Sequence, residues 1–283
     1  MNLSKAQDIQ RGMNLFRIVS ADWVEEHLDS PDFLVLDPRS AVRYMAGHPK
    51  NAVNLSVAKL RNLQGNLLPN DILAQRIGKA GLDAKRAPVI YDNADGRNAA
   101  FLAWILTYLG RDDVHVMESF WEQWIADGRE AFYRPVRPEP REFAAKPRGE
   151  LRTSLQEMQK AAGAKRIDLR GPDEFSGKTN MDERPGHIPG AVNLPCQEMG
   201  AAGRLLKPNH QLEKLFLSHG ISANDRAIAY CRTGVRAALG FVALTQLGYN
   251  VSLYDGSYAE WARSGLPVES TFEENQKGER AHV

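Results

Sequence analysis

Along this chain, buried-strand patterns alternate with helical ones, and the series runs twice. The apolar run Phe33-Leu-Val-Leu-Asp37-Pro-Arg39 reads as a buried strand ending in Asp-x-Arg, and Arg166-Ile-Asp168-Leu-Arg170 repeats that ending. Gly47-His48-Pro-Lys-Asn-Ala-Val-Asn-Leu55 returns as Gly186-His187-Ile-Pro-Gly-Ala-Val-Asn-Leu194, with the same residue at six of the nine positions. Val89-Ile-Tyr91-Asp92 pairs with Ile228-Ala-Tyr230-Cys231. Each is an apolar strand entering a six-residue loop that ends in arginine, Arg97 or Arg236, and then opens a helix. Those helices, predicted over 99–109 and 237–247, stop at Gly110 and Gly248, where glycine tolerates a left-handed turn. Last, Val114-His-Val-Met-Glu118 with Trp124 matches Val251-Ser-Leu-Tyr-Asp255 with Trp261.

Strands alternating with helices, joined by connections too long for hairpins, predict α/β units around mostly parallel sheets. The expected fold class is α/β: two tandem domains, each a mostly parallel sheet flanked by helices. Ser20 before Trp23, Val24 and Leu28 marks one helix start, and Thr153 with Gln156 has the capping-box pattern of another. The expected organisation is a first repeat over 12–133, a linker over 134–149, a second repeat over 150–270 and a polar tail over 271–283. Pro135, Pro138, Pro140 and Pro147 keep the linker extended, and the tail has little apolar surface to bury.

A chain of 283 residues that is 43% hydrophobic has room for two packed cores. Its net charge of +1, from 36 basic and 35 acidic residues, gives no field for a nucleic-acid backbone or an anionic membrane. Anion recognition must therefore be local. Residues 1–20 mix Asp8, Arg11 and Arg17 with isolated apolar positions and lack the unbroken apolar stretch of an export or membrane segment, so a cytoplasmic, reducing setting is expected. Only Cys196 and Cys231 occur, in no Cys-x-x-Cys pair and beside no ligand-spaced histidines, so neither a disulfide framework nor a metal site is expected.

Of the two cysteines, Cys231 stands where chemistry is favoured. It directly follows a buried strand, and Arg232-Thr233-Gly234-Val235-Arg236 leads from it into a helix. Backbone amides at a helix N-terminus, two arginines and a glycine that lets the loop curl all favour an anionic, nucleophilic sulfur. The site suits a small anionic sulfur or oxygen compound. Cys196, in Asn193-Leu-Pro195-Cys196, reads as an ordinary buried cysteine.

With Asp168-Leu-Arg170, Gly186-His-Ile-Pro-Gly-Ala191, the cysteine loop and Asp255-Gly-Ser257, the chain resembles the tandem-domain rhodanese family over nearly its whole length. That family comprises thiosulfate and 3-mercaptopyruvate sulfurtransferases. The resemblance implies a silent first domain, since Asp92 stands in the place of the cysteine, and a catalytic second one. It also implies a two-step cycle without metal or organic cofactor. Cys231 takes a sulfane sulfur from the donor and passes it to cyanide, a thiol or a thioredoxin-like protein. Arg170 is expected to hold the donor's anionic group, as are Arg232 and Arg236, with Arg236 alternatively bracing the loop. The loop amides from Arg232 to Arg236 are expected to cradle the persulfide.

For the donor, Arg232 follows the thiosulfate pattern Cys-Arg-Lys-Gly-Val-Thr, whereas Thr233 follows the mercaptopyruvate pattern Cys-Gly-Ser/Thr-Gly-Val-Thr. Glu174 occupies the place of that second group's additional substrate arginine, and His48 stands at its relay histidine, in Gly-His-Pro rather than His-Ile-Pro surroundings. The expectation tilts toward thiosulfate. Two rival readings exist: a cysteine phosphatase of the cell-division-cycle type, whose loop is Cys-x5-Arg where this one has four intervening residues, and a non-catalytic binding module like the first repeat.

Overall fold

The computed structural model describes residues 15–179 and 181–272. The predicted tail from 273 onward, and residues 12–14 of the first predicted repeat, lie outside the described residues.

In the first half, strands β1 (Phe16–Val19), β2 (Phe33–Asp37), β3 (Val53–Asn54), β4 (Ala87–Ile90) and β5 (Val114–Met117) form one sheet in the order β1-β5-β4-β2-β3. Every adjacent pair is parallel. Helices α1 (Ala21–Glu26), α2 (Ala41–Met45), α3 (Asn70–Lys79), α4 (Arg97–Tyr108) and α5 (Trp121–Ala126) connect and cover the strands. The second half repeats the plan with β6 (Lys165–Asp168), β7 (Val192–Asn193), β8 (Arg226–Tyr230) and β9 (Asn250–Leu253), again all parallel, in the order β7-β6-β8-β9. Its helices are α6 (Leu155–Lys160), α7 (Pro172–Ser176), α8 (Asn209–Ser218), α9 (Val235–Gln246) and α10 (Ser257–Arg263). The place β1 holds in the first sheet is reduced here to a parallel bridge between Arg152 and Leu253.

The expected left-handed stops are present, with φ of +107° at Gly110 and +76° at Gly248. Both preceding helices start two residues earlier than the apolar pattern, at Arg97 and Val235, because first-turn residues facing a cleft carry no apolar periodicity. Ser20 caps α1, its hydroxyl accepting from the Trp23 amide at 3.1 Å. The second capping box is shifted by one residue from the predicted pair: Ser154 and Glu157 form it, with the Ser154 amide donating to the Glu157 carboxylate at 2.8 Å. Thr153 is buried instead, its hydroxyl 2.7 Å from that of Ser252, since the chain has not yet left the edge of the sheet.

The proline-rich segment stays extended but is pinned to the first half. Arg141 donates to the Gly78 carbonyl at 2.8 Å, Lys146 to Leu109 at 2.8 Å and Arg148 to Tyr108 at 2.7 Å, while Phe143 is buried. A Cβ at Gly78 would lie 2.3 Å from the Arg141 carbonyl oxygen, so only glycine allows this approach.

Helices α4 and α9 pack against each other at the centre, and both are buried nearly all round. One continuous apolar cluster therefore runs through both halves. The halves also cover one another. The short 3-10 turn Val57–Leu60 and the loop after it lie over the Cys231 loop, and the turn Cys196–Met199 and its loop lie over the Asp92 loop.

Candidate active site

Cys231 directly follows β8, is 1% exposed, and sits where the chain turns into α9. Its backbone is held at both ends. The amide donates to Ser257 Oγ at 3.2 Å, and the carbonyl accepts from the Tyr258 amide at 2.9 Å. Ser257 adopts φ +56°, and its hydroxyl donates to the Tyr254 carbonyl at 2.7 Å. Asp255-Gly-Ser257, recognisable in the sequence only as a motif, is thus the floor that fixes the cysteine.

Gly234 has φ +89°, and a Cβ there would sit 3.0 Å from the Asp255 carbonyl oxygen and 3.4 Å from Phe101. That curl brings the Gly234 amide 3.1 Å from Cys231 Sγ at the N-terminus of the twelve-residue α9. Among the described residues this is the backbone donor to the sulfur. The cradle expected from Arg232 to Arg236 thus narrows to one amide plus the helix end.

Arg236, in the first turn of α9, makes a two-pronged ion pair with Glu174 of α7, at 2.5 and 2.8 Å. Burial works to lower its pKa, but the Glu174 hydrogen bond and the negative charge of Cys231 outweigh it and hold Arg236 above the usual arginine value. Arg232 points away from the helix axis and binds Asp182 through Nε at 3.1 Å and the Met181 carbonyl through Nη2 at 2.9 Å. Thr233 and Val235 are half-buried, and Thr233 faces the loop of the first half through Gly65.

Arg170, expected at the donor's anionic group, is bound within its own domain. It is 2% exposed, with Nε and Nη2 on the Asp168 carboxylate, Nη2 also on the Gly186 carbonyl at 2.7 Å, and its guanidinium 3.9 Å over the Tyr258 ring. Arg39 repeats this in the half that has no cysteine: Nη2 bonds Asp37 at 2.6 Å and the Gly47 carbonyl at 2.8 Å, over Tyr91. The same arrangement thus stands in both halves, with and without a cysteine, and holds each Asp-x-Arg turn to the loop that follows it.

His48, the expected relay residue, is also enclosed. It is fully buried, stacked 4.1 Å on Tyr44, with Nδ1 2.9 Å from the Pro49 carbonyl, and its backbone pairs with Phe132. These partners all belong to the first half. His187 mirrors it on Phe175, at 3.7 Å. Each histidine joins its loop to a distant segment through an antiparallel bridge, His48 to Phe132 and His187 to Glu269.

At the matching place in the first half, the Asp92 carboxylate stands where the sulfur stands in the second and accepts from the amides of Asn93, Asn98 and Ala99 at 2.8, 2.7 and 3.0 Å. Burial raises its pKa to about 6 against the pull of those hydrogen bonds. The two loops also differ in length. Gly96 and Gly234 both precede their helices, so Asp92 has one more residue than Cys231 before the helix, and Arg236 corresponds to Asn98 rather than to Arg97.

Cys196 is buried, its Sγ 3.4 Å from Gln197 Oε1, and burial pushes its thiol up to about 11. A raised pKa disfavours the nucleophilic thiolate form.

Sequence reading missed the contribution of the first half to the cysteine loop. Arg61 donates to the Thr233 carbonyl, and Phe101 of α4 lies against Gly234. Neither belongs to a motif; both are brought in by packing of the halves.

Comparison with known proteins agrees with this geometry. The model of the rhodanese-like domain matches residues 20–127 and again 151–264. The chain belongs to the rhodanese family. It is 32% identical over 271 residues to "Putative thiosulfate sulfurtransferase" of Mycolicibacterium smegmatis, covering 89% of this chain and 97% of that one. It is 30% identical over 284 residues to the thiosulfate sulfurtransferase of Corynebacterium glutamicum, covering 90% of each. Among solved structures, the anaerobic ergothioneine biosynthesis enzyme of Chlorobium limicola, bound to trimethyl histidine, matches with TM-score 0.80 and 25% identity over 91% of this chain and 71% of that one. A rhodanese-type sulfurtransferase fold with two domains is thereby established. Among the described residues, no helix is long and apolar enough to cross a membrane.

Proposed function

We propose that the chain moves sulfane sulfur from thiosulfate to a thiophilic acceptor through a persulfide on Cys231. The observation that carries this reading is the Gly234 amide 3.1 Å from Cys231 Sγ at the start of α9, a donor aimed where negative charge must rest in both the thiolate and the persulfide. In the first step the thiolate attacks the outer sulfur of thiosulfate. The new S–S bond forms as the old one breaks, and sulfite leaves with the electron pair. In the second, cyanide or a thiolate attacks the terminal sulfur, and the Cys231 thiolate leaves. No proton is needed in either step when cyanide is the acceptor. Arg232, only partly covered by Asp182, is the cation at the loop's outer side and the residue we assign to the approach of a doubly charged donor.

Thiosulfate is placed ahead of 3-mercaptopyruvate for two reasons. Arg232 follows the thiosulfate pattern, and Glu174, in the place of a second substrate arginine, is occupied by Arg236. Mass spectrometry of protein incubated with thiosulfate tests the reading. One added sulfur on the Cys231 peptide is expected, removed by cyanide and absent from Cys231→Ser. A wild-type protein that stays unmodified would favour a binding module, and phosphoester hydrolysis without sulfur uptake would favour the phosphatase. A large rate preference for mercaptopyruvate would reverse the order of donors.

A further inference from the structure

Arg61 reaches the cysteine loop from the other half of the molecule. Its Nε donates to the Gly65 carbonyl at 2.6 Å, its Nη2 to the carbonyl of Thr233, and its guanidinium carbon lies 5.3 Å from the centre of the Phe101 ring. The Thr233 carbonyl and the Gly234 amide belong to one peptide unit. No peptide bond among the described residues is cis, so these two groups project from opposite sides of that plane. Arg61 binds one end, and Cys231 Sγ accepts from the other at 3.1 Å.

We propose that Arg61 is a positioning residue for sulfur transfer: by binding the Thr233 carbonyl it fixes the peptide plane that aims the Gly234 amide at Cys231. This rests on the reading of Cys231 as the sulfur carrier. The plane needs fixing because Gly234, at φ +89°, lies where glycine alone moves freely, so the Thr233–Gly234 peptide can turn its carbonyl toward the sulfur. A carbonyl there would repel the thiolate. A charge-assisted bond on the far side opposes that turn and polarises the amide toward the sulfur. Arg61 is itself held in the electrostatic field of the site. Burial lowers its pKa, opposed by the negative charges of Cys231 and Asp255, and it stays cationic.

The internal repeat supplies an independent contrast. At the spacing that relates Gly47 to Gly186 and Asp92 to Cys231, Arg61 corresponds to Gly200. Over the silent loop there is accordingly no clamp but a cavity of about 370 Å³, lined by Asp95, Gly200 and Leu205 among others. The arginine stands only on the side that carries the cysteine. Asp92, already held by three amides, has no peptide plane to fix.

The test uses the full chain with Arg61→Gln and Arg61→Lys, following the pH dependence of iodoacetamide alkylation at the Cys231 peptide and single-turnover persulfide formation from thiosulfate. For Arg61→Gln the alkylation profile is expected to move about one pH unit toward alkaline. Persulfide formation should slow about tenfold, with KM changed less than about threefold. Arg61→Lys, which keeps the charge without the planar fork, should fall between the two. A folded Arg61→Gln protein with the wild-type profile and rate overturns the proposal. Should that variant fail to fold, Gly65→Ala takes its place: its Cβ would meet Arg61 Nη2 at 2.8 Å and displace it. The same alkaline movement is then expected, and its absence overturns the proposal. Wild-type protein that forms no persulfide would sink the sulfur-carrier reading, while the alkylation profiles decide separately on Arg61.

Discussion

Arg236 grips Glu174 through two hydrogen bonds, at 2.5 and 2.8 Å, tying the first turn of α9 to α7 beside the cysteine loop. Both side chains are less than one-fifth exposed, so removing one leaves the other poorly solvated. Arg236→Ala should destabilise the protein by about 1–3 kcal/mol. Burial acts to raise the Glu174 pKa, but Arg236 outweighs it and holds the carboxyl below its usual value. A depressed carboxylate contributes stability above its unfolded pKa and loses it as pH falls through the folded one. The advantage of wild type over Glu174→Gln in denaturant melts should therefore be full at neutral pH and shrink in acid.

Asp92 has the opposite sign. Burial raises its pKa to about 6, so the folded chain binds its proton more tightly than the unfolded one, and the associated stability disappears as pH rises through that value. Asp92→Asn keeps one acceptor oxygen for the Asn98 and Ala99 amides and turns its NH2 on the Asn93 amide, a pH-independent cost; on top of that constant offset it should gain on wild type by about 1–3 kcal/mol as pH rises from about 5 to about 8. Melting temperatures across that range would show it. A variant that loses ground over the same interval would contradict the buried-acid account.

The paired braces Asp37–Arg39 and Asp168–Arg170 make a like-for-like comparison, since both ion pairs are 2.6 Å long and almost fully buried. Arg39→Met and Arg170→Met should each destabilise by about 3–5 kcal/mol, because a buried carboxylate is left unpaired. Conditions that keep both variants folded should show a thiosulfate KM within about threefold of wild type for each. A tenfold rise confined to Arg170→Met would return that arginine to the donor.

Ser257 links two backbone groups, accepting from the Cys231 amide at 3.2 Å and donating to Tyr254 at 2.7 Å. Ser257→Ala leaves both without a partner in a buried place, a loss of about 1–3 kcal/mol. The persulfide yield per folded molecule should fall with it, read by mass spectrometry after thiosulfate treatment.

Much of the fold was legible because parallel strands buried on both faces read as apolar runs, as Phe33-Leu-Val-Leu and Ile228-Ala-Tyr do. Strand β1, broken by Arg17, gave no such signal and was found only through its pairing with β5. Cys231 was legible because strand, cysteine, glycine and helix onset are contiguous in the chain. Roles that depend on which side chain an arginine meets were not, as Arg170 shows: Asp-x-Arg is equally a donor clamp and a self-contained ion pair until the Asp168 contact is seen.

The sequence alone determined the repeat, the α/β class, the cysteine after its strand and the aspartate Asp92 at the matching place, since each is a property of neighbouring residues and their periodicity. Only the tertiary structure decided which groups face the sulfur. The packing of α4 on α9 brings Phe101 and the Arg61 loop from more than a hundred residues away onto Thr233 and Gly234. Contacts between two different sheets leave no periodic trace in either one, so the loop itself was readable from its residues and its surroundings were not.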